Sequence, residues 1–307
     1  MAEPTTGGWL IIDKPAGITS NRVVTRLKHT TGLKAGHAGT LDPLATGVLP
    51  VALGEATKTV SFLSKAEKRY CFRVRWGIAT DTEDSDGEIT GEIPERPDEA
   101  AIRAVLSRFT GAIAQRPPAY SAIKVAGERS YALARCGKTA PLAERQVTIF
   151  ELEFAALPDR DHAEFTARVS EGTYIRALVR DLALALGTLG HVAALRRLSV
   201  GRFGEAQAIS LDLATSLGHS LSASGHLLPI EAALDDIPAL VLTAGEAARL
   251  RHGQALVLAD VGEGARLDRF DDGTIVGARY DQKLVGLARI ANGRLLPVRM
   301  INHQMKD

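Results

Sequence analysis

The stretch Gly36-His37-Ala38-Gly39-Thr40-Leu41-Asp42-Pro43-Leu44-Ala45-Thr46-Gly47 places one carboxylate, that of Asp42, in a segment of backbone-shaping residues. Its glycines allow φ angles that other residues resist, and Pro43 biases Asp42 towards an extended conformation. A single acid on a pre-shaped loop suits a nucleophile or a general base. The same residue types are ordinary in turns, and on local chemistry alone a turn is the commoner interpretation.

The composition limits the classes of protein that this chain can belong to. It has 307 residues, of which 45% are hydrophobic and 24% charged, which predicts one large domain and a smaller one. No apolar run is long enough to span a bilayer, and the first residues lack the pattern of a secretion signal. The two cysteines, Cys71 and Cys136, lie far apart, which argues against a disulfide framework and a zinc site. We therefore expect a cytoplasmic protein.

The charges are distributed unevenly along the chain, although the net charge is only +1. Residues 81–99 hold nine acids and one arginine, whereas residues 168–202 hold six arginines and two acids. An acidic edge and a basic face fit a polyanion that binds in one place. Two solvated surfaces are the alternative.

The apolar patterns predict an α+β fold with a largely antiparallel or mixed sheet. Residues 70–76 alternate cleanly, which places Tyr70 and Trp76 on the apolar face of a strand. Further strands are predicted at residues 9–12, 49–53, 147–154 and 165–169, and helices run from Thr19 or Ser20 to Gly32, from Asp98 to Gly111 and over residues 174–186. Five short apolar runs between residues 239 and 298 predict a small β-rich module at the C-terminus.

The motifs of common cofactor and metal enzymes are absent from the sequence. It contains no P-loop, no GxGxxG after a strand, no HExxH and no GxSxG, and its eight histidines form no metal-spaced cluster. We therefore expect neither a cofactor nor a metal.

Two side chains on apolar surfaces are candidate partners of Asp42. The Tyr70 hydroxyl points either into the core or into a cleft that the core borders. Arg176 stands in an otherwise apolar helix and needs a carboxylate or phosphate partner, for which Asp42 is a candidate. The alternative is that Arg176 reaches solvent through its flexible stem.

The stretch from Gln115 to Lys124 combines rigid prolines with the basic and aromatic residues that follow it. Cations for phosphates and rings for bases are typical of a loop that grips RNA. A plain surface loop is the alternative interpretation.

Taken together, the sequence resembles the bacterial tRNA pseudouridine-55 synthase (TruB-type) family. The resemblance is carried by segments in the same order along most of the chain: Ile12–Ser20, Gly36–Leu49, Lys68–Tyr70, Thr80–Gly87, Gln115–Lys124, Gly172–Arg176 and His191–Phe203. The C-terminal segment, with Arg249-Leu250-Arg251-His252-Gly253, is similar to the small RNA-binding β module of the PUA type. Ala38 departs from the threonine that many relatives carry, and we expect little effect.

The resemblance implies a pseudouridine synthase fold with a mixed, mainly antiparallel sheet and a central cleft. It implies a catalytic domain over residues 1–235, with an RNA-gripping insertion at 118–146, and a PUA-like RNA-binding domain over residues 236–307. It further implies an isomerase that converts the uridine at position 55, in the T-loop of tRNA, to pseudouridine without a cofactor or metal. The expected partner is the T-arm stem-loop of tRNA, bound by a monomer with no obligate protein partner and no membrane; a tRNA-folding chaperone role is a secondary possibility.

The resemblance also assigns roles to particular residues. Asp42 takes the role of catalytic nucleophile, Tyr70 stacks on the target uracil and serves as base in the later proton removal, and Arg176 pairs with Asp42. The implied substrate-binding residues are His37, Tyr70, Tyr174, Leu195, Lys14, Lys124 and Arg129.

Two other classes of function fit parts of the pattern. One is an RNA-binding or chaperone protein without catalysis. The other is a glycoside or nucleoside hydrolase, which normally needs a second carboxylate near the first. The only acids near an equivalent motif are those at residues 81–88, which we interpret as surface residues.

Overall fold

The computed structural model of the chain describes residues 7–121, 123–125, 128–129, 142–257 and 270–302. Its helices are α1 (Ser20–Thr31), α2 (Val60–Leu63), α3 (Glu99–Val105), α4 (Ile175–Ala185), α5 (Leu211–Leu217) and α6 (Ala244–Arg251). Its strands are β1 (Gly7–Lys14), β2 (Ala35–His37), β3 (Thr46–Gly54), β4 (Lys68–Trp76), β5 (Ile78–Thr80), β6 (Ile89–Glu92), β7 (Gly111–Gln115), β8 (Lys124–Val125), β9 (Glu128–Arg129), β10 (Arg145–Asp159), β11 (His162–Val169), β12 (Gly190–Val200), β13 (Phe203–Gly204), β14 (Ile209–Ser210), β15 (Ala239–Val241), β16 (Leu256–Val257), β17 (Ile275–Tyr280), β18 (Lys283–Ala291) and β19 (Arg294–Met300). None of the described helices is both long and apolar enough to cross a membrane.

A large mixed sheet forms the centre of the molecule. Its strand order is β14-β1-β3-β12-β4-β11-β10-β7, with β2 paired to β3 and β13 paired to β12. The β1–β14 and β3–β12 pairs are parallel, and the other pairs are antiparallel. The predicted mixed, mainly antiparallel sheet is therefore confirmed.

The alternation predicted for residues 70–76 is confirmed in β4. Tyr70, Phe72, Val74 and Trp76 are buried on one face of this strand, and the residues between them are more exposed. The buried face packs with Leu178 and Leu182 of α4 in the main core. Period-2 burial of this kind fixes the register of β4, because a slip by one residue would expose all four apolar side chains.

Both predicted ends of helix α1 are confirmed. The Thr19 hydroxyl accepts a hydrogen bond from the backbone N–H of Arg22, and Gly32 ends the helix in the left-handed region at φ 68°. The N–H of Gly32 donates to the carbonyl of Lys28, which satisfies one of the carbonyls left open at the helix end. Ser20 lies just inside the helix and makes different contacts, described below.

The C-terminal strands form a separate sheet in the order β15-β17-β18-β19-β16, which confirms the predicted β-rich module. Leu284, Leu287 and Ile301 pack with Trp9 and Ile11 in a second core on the other face of β1. Polar contacts flank this core, since Lys58 Nζ donates to the carbonyl of Met300, and the N–H groups of Asn302 and Leu284 donate to the carboxylates of Glu55 and Glu231.

Several elements lie where the sequence patterns predict none, and three of them matter most for the fold. Strand β12 runs through the middle of the large sheet, α5 occupies part of the stretch between residues 210 and 240, and α6 lies in the C-terminal module. The β12 sequence, GHVAALRRLSV, is rich in alanine, leucine and arginine, which favour helices. Its position between β3 and β4 overrides that local preference.

Candidate active site

Asp42 and Arg176 form a two-point ion pair at the edge of the main core. Arg176 Nε donates to Asp42 Oδ2 at 2.9 Å, and Arg176 Nη2 donates to Asp42 Oδ1 at 3.0 Å. The side chain of Arg176 is 4% exposed, whereas that of Asp42 is 29% exposed. The predicted pairing is confirmed, and it leaves a carboxylate that is oriented by a guanidinium yet open to a ligand.

The guanidinium of Arg176 joins three separate parts of the chain. In addition to Asp42, Arg176 Nη1 donates to the carbonyl of Thr82 at 2.7 Å, and Nη2 donates to the carbonyl of Tyr120 at 2.9 Å. The Oδ2 atom of Asp84 lies 3.6 Å from Arg176 Nε. Because helix α4 begins at Ile175, all of these contacts converge on its first turn.

The interpretation of residues 81–88 as a solvated surface is wrong for two of its acids. Asp84 is buried, accepts hydrogen bonds from the Thr82 hydroxyl and the N–H of Asp86, and faces Arg176. Glu83 bonds Arg180 at 2.7 Å. Burial raises the pKa of both carboxyl groups, although hydrogen bonds and the neighbouring arginines oppose the rise. A second carboxylate therefore lies beside Arg176, on the side away from solvent.

The loop that carries Asp42 is held by the start of helix α1. The Ser20 hydroxyl donates to the carbonyl of Leu41 at 3.0 Å and accepts from the N–H of Leu41 at 2.8 Å. The N–H of Gly17 donates to the carbonyl of Pro43, and the N–H of Ala45 donates to the carbonyl of Asp42. Residues on both sides of Asp42 are thus fixed, so the carboxylate sits on a rigid backbone.

Lys14, a predicted substrate-binding residue, takes part in this anchoring in the structure, and its role towards the substrate stays a prediction. Its Nζ atom donates to the carbonyls of Pro15, Ile18 and Pro43 at 2.8, 2.8 and 3.2 Å, which uses all three ammonium protons. The residue is fully buried. Burial lowers the pKa of Lys14 to about 8, partly offset by the charge of Asp42. A phosphate could not replace these carbonyls without opening the loop.

Arg197 holds the other end of the same loop. It is buried, and it donates to the carbonyls of Val48 at 2.8 Å, Gly39 at 3.0 Å and Thr40 at 3.4 Å. The backbone of β12 also approaches Gly47 closely, since a Cβ added to that glycine at φ 98° would lie 2.2 Å from the carbonyl oxygen of Arg197. Glycine at position 47 permits both the positive φ and the close approach.

The six arginines predicted to form a basic face all have partners within the chain. Arg176 and Arg197 are buried in the contacts described above. The other four bond carboxylates: Arg168 bonds Glu67 and Glu151, Arg180 bonds Glu83 and Asp181, Arg196 bonds Asp13 and Glu205, and Arg202 bonds Asp235. The positive charges of these four arginines are therefore largely balanced by neighbouring carboxylates. An open phosphate-binding surface would instead present arginines without such partners.

Tyr70 and Leu195 lie on adjacent strands within the same core cluster as Leu41, next to Asp42. In the β4–β12 register Tyr70 lies opposite Arg197, and Leu195 lies opposite Phe72. Both residues are 7% exposed. The structure thus places the predicted stacking and pocket residues on adjacent strands, in the core cluster that also contains Leu41.

His37 and Tyr174, two predicted substrate-binding residues, have different surroundings. His37 ends β2, and its buried Nδ1 atom has no hydrogen-bond partner among the described residues. Burial and the charge of Arg197 lower the pKa of His37, which favours the neutral ring. The Tyr174 ring lies under the guanidinium of Arg145 at 4.8 Å, a cation–π contact.

Lys124 and Arg129 stand opposite each other in the short β8–β9 pair, but their side chains lie outside the described residues. Most of the predicted 118–146 insertion, namely residue 122 and residues 126–127 and 130–141, also lies outside them. In the described ranges, no three His, Cys, Asp or Glu side chains come together as a metal site would require.

Comparisons with known proteins identify the family of the chain. The family model "TruB family pseudouridylate synthase (N terminal domain)" matches residues 25–175, and the model "tRNA pseudouridylate synthase B C-terminal domain" matches residues 176–235. The tRNA pseudouridine synthase B of Rhodospirillum rubrum is 50% identical over 296 residues, which cover 96% of each chain. The chain belongs to the TruB family of pseudouridylate synthases. It is therefore an isomerase of the class that converts uridine to pseudouridine.

Other relatives extend the agreement. The tRNA pseudouridine synthase B of Caulobacter vibrioides is 49% identical, with 95% of each chain covered. Among solved structures, an H/ACA RNP bound to a substrate RNA containing 2'-deoxyuridine matches with a TM-score of 0.74 and 25% identity, covering 97% of this chain and 86% of the other. An archaeal box H/ACA sRNP Nop10-Cbf5 complex matches with a TM-score of 0.72 and 26% identity, covering 96% and 86%. These matches support the pseudouridine synthase fold.

Sequence reasoning missed several residues that build this site: Ser20, Asp84, Gln115 and Arg197. The sequence pattern indicates only a helix cap at Ser20, and only part of an RNA-gripping stretch at Gln115. Their contacts with Leu41, Arg176, Tyr174 and Gly39, respectively, join segments 21 to 158 residues apart, which no local pattern reports. An arginine pair in an apolar strand, as at Arg196 and Arg197, is the one local signal that could have indicated a buried cation.

Removal of the Ser20 hydroxyl tests the anchoring of the Asp42 loop. In Ser20→Ala both bonds to Leu41 are lost, so we expect turnover to fall about tenfold and the free energy of unfolding to fall by about 1–3 kcal/mol. Thr19→Ala is the matched control, because it removes only the exposed helix cap at the adjacent position. Urea unfolding and single-turnover rates measure both variants. Equal turnover in the two would contradict a role for Ser20 in positioning the loop.

Proposed function

We propose that this chain converts the uridine at position 55, in the T-loop of tRNA, to pseudouridine, with Asp42 as the nucleophile. The observation that carries the proposal is the partly exposed carboxylate of Asp42. Buried Arg176 bonds both of its oxygens, and the loop that carries it is anchored on both sides. The naming of close relatives as tRNA pseudouridine synthase B supports tRNA as the substrate.

The reaction moves one bond within a single nucleotide and consumes no external group. The N1–C1′ bond of the uridine breaks, the uracil rotates, and C5 bonds to C1′. The hydrogen on C5 leaves to solvent, and N1 gains a proton. One carboxylate has three routes open to it: attack on the sugar, attack on the base, or removal of a proton to form a glycal. Arg176 keeps Asp42 aimed in each of them.

Asp42 can reach the target only when the uridine leaves the base stack. Flipping costs a few kcal/mol in lost stacking and pairing. Stacking of the extruded uracil on Tyr70 would return about 1–3 kcal/mol. Tyr174 and Leu195 would line the pocket, His37 would contact the RNA as the base leaves, and Tyr70 would remove the C5 proton at the end.

The surrounding regions would position the tRNA. Residues 1–235 form the proposed catalytic domain, in which the 118–146 insertion, with Lys124 and Arg129, grips the T-arm. Residues 236–307 form a PUA-like RNA-binding domain. We propose that the enzyme acts as a monomer in the cytoplasm without an obligate protein partner.

Tritium release provides the direct test of this function. Purified protein incubated with tRNA transcript carrying [5-³H]uridine should release one equivalent of tritium per tRNA, and chemical mapping should place pseudouridine at position 55. A transcript with cytidine at position 55 is the control and should release none. Pseudouridine mapped at another position of the tRNA would overturn the assignment of uridine 55 as the target. Free uracil in place of pseudouridine would indicate a hydrolase.

A further inference from the structure

Gln115 is a buried amide whose two ends bond the backbone of one residue. Its Oε1 atom accepts from the N–H of Tyr174 at 2.8 Å, and its Nε2 atom donates to the carbonyl of Tyr174 at 3.1 Å. Gln115 is 0% exposed and ends strand β7, on the far edge of the large sheet. A side chain so enclosed cannot touch tRNA, so any effect on the reaction must pass through Tyr174.

Tyr174 is the N-cap residue of helix α4, and its own side chain makes no capping bond. The first N–H groups of a helix have no partner within the helix and need one from elsewhere. Gln115 supplies an acceptor just before the first turn, while the Tyr174 carbonyl accepts both from Gln115 and from the N–H of Leu178. The amide therefore fixes the point at which the chain enters α4.

Arg176 lies two residues after Tyr174, whose backbone Gln115 bonds, and so in the first turn of α4. A small tilt of that turn would move the guanidinium away from Asp42, since the pair depends on two bonds of 2.9 and 3.0 Å. The segment that begins at Gln115 also reaches Arg176 directly, because the carbonyl of Tyr120 accepts from Arg176 Nη2. Pro117 and Pro118, both buried, stiffen the connection between these two contacts.

We propose that Gln115 is a positioning residue for the isomerisation, which fixes the start of α4 and so aims Arg176 and Tyr174 at the reacting uridine. The proposal rests on the proposed function of Asp42. Gln115 then has a role inside the protein. The residues that follow it in the chain begin the 118–146 insertion, which is proposed to grip RNA.

Gln115→Met tests the proposal, because methionine has a similar volume and makes none of these hydrogen bonds. We expect the single-turnover rate of tritium release to fall about 10- to 100-fold, with the Kd for tRNA within twofold of the wild type. Thr59→Val is the matched control: Thr59 is buried and its hydroxyl bonds the carbonyl of Ala56, which belongs to the second core, whereas Gln115 bonds the residue that precedes α4. It should lose stability without a comparable loss of rate.

Gln115→Glu adds a readout that a merely structural residue would not give. An ionised glutamate accepts from the Tyr174 N–H but cannot donate to its carbonyl, whereas a protonated one can do both. The rate relative to wild type should therefore rise as the pH falls from 8 to 5.5. A flat ratio, or Gln115→Met turnover equal to that of Thr59→Val, would overturn this proposal alone. A wild-type protein without tritium release would overturn the proposed function, and this proposal with it.

Discussion

Asp42→Asn is expected to lower the rate of pseudouridine formation by about 10⁴-fold or more, the scale on which enzymes lose turnover when a nucleophile is removed. Asparagine has nearly the same shape and keeps one oxygen to accept from Arg176. Its amide cannot attack a carbon or take a proton at neutral pH. The fold and the affinity for tRNA should therefore persist, because the backbone bonds at Leu41, Pro43 and Ala45 do not involve the carboxylate.

Tritium release under single-turnover conditions measures this loss, with filter binding of tRNA in parallel. Asp86→Asn is the matched control, since it removes one negative charge from an exposed carboxylate in the neighbouring 81–88 segment. It should retain a rate within threefold of the wild type. Release by Asp42→Asn at a similar rate would exclude Asp42 as the nucleophile, and loss of tRNA binding together with the rate would shift its role to recognition.

Patterns within short stretches of sequence are sufficient to predict helix α1 and strand β4, which precede and follow Asp42 in the chain. The alternation of apolar and polar residues in β4 and the caps of α1 depend on residues close together in sequence, so both can be predicted without knowledge of the tertiary structure. The Asp42–Arg176 pair was predictable for a different reason. A guanidinium on an apolar helix either pairs with an anion or reaches solvent, and Asp42 stands in the segment best shaped to present an anion.

The remainder of the site depends on packing that no local pattern contains. Lys14 and Asp84 are residue types that usually lie at the surface, and they are buried here because distant segments close over them. Lys14 bonds the carbonyl of Pro43, 29 residues away, and Asp84 faces Arg176. Strand β12 has a helix-favouring composition and becomes a strand only between β3 and β4.

The arginine of the pair should be nearly as sensitive as the aspartate. Arg176→Lys keeps the positive charge, but a single ammonium cannot reproduce the two parallel bonds to Asp42 together with those to Thr82 and Tyr120. We expect the single-turnover rate to fall about 10²- to 10³-fold, with tRNA affinity within threefold. A lysine variant with a rate near that of the wild type would show that charge alone suffices.

Arg176→Met, compared with a control variant, shows whether Arg176 acts by orienting Asp42 or only by stabilising the fold. Without the guanidinium, Asp42 and Asp84 face each other with no cation between them, and loss of one partner of a buried pair costs about 3–5 kcal/mol. Urea unfolding measures this destabilisation. The matched control is Arg180→Met, one turn further along α4, because the Arg180 side chain also bonds two carboxylates but is 25% exposed, against 4% for Arg176. The Arg180 variant should lose less stability, and its rate should exceed that of Arg176→Met by at least about tenfold. Equal effects of the two substitutions would mean that α4 needs a paired arginine for folding, and that its contact with Asp42 has no separate role in the reaction.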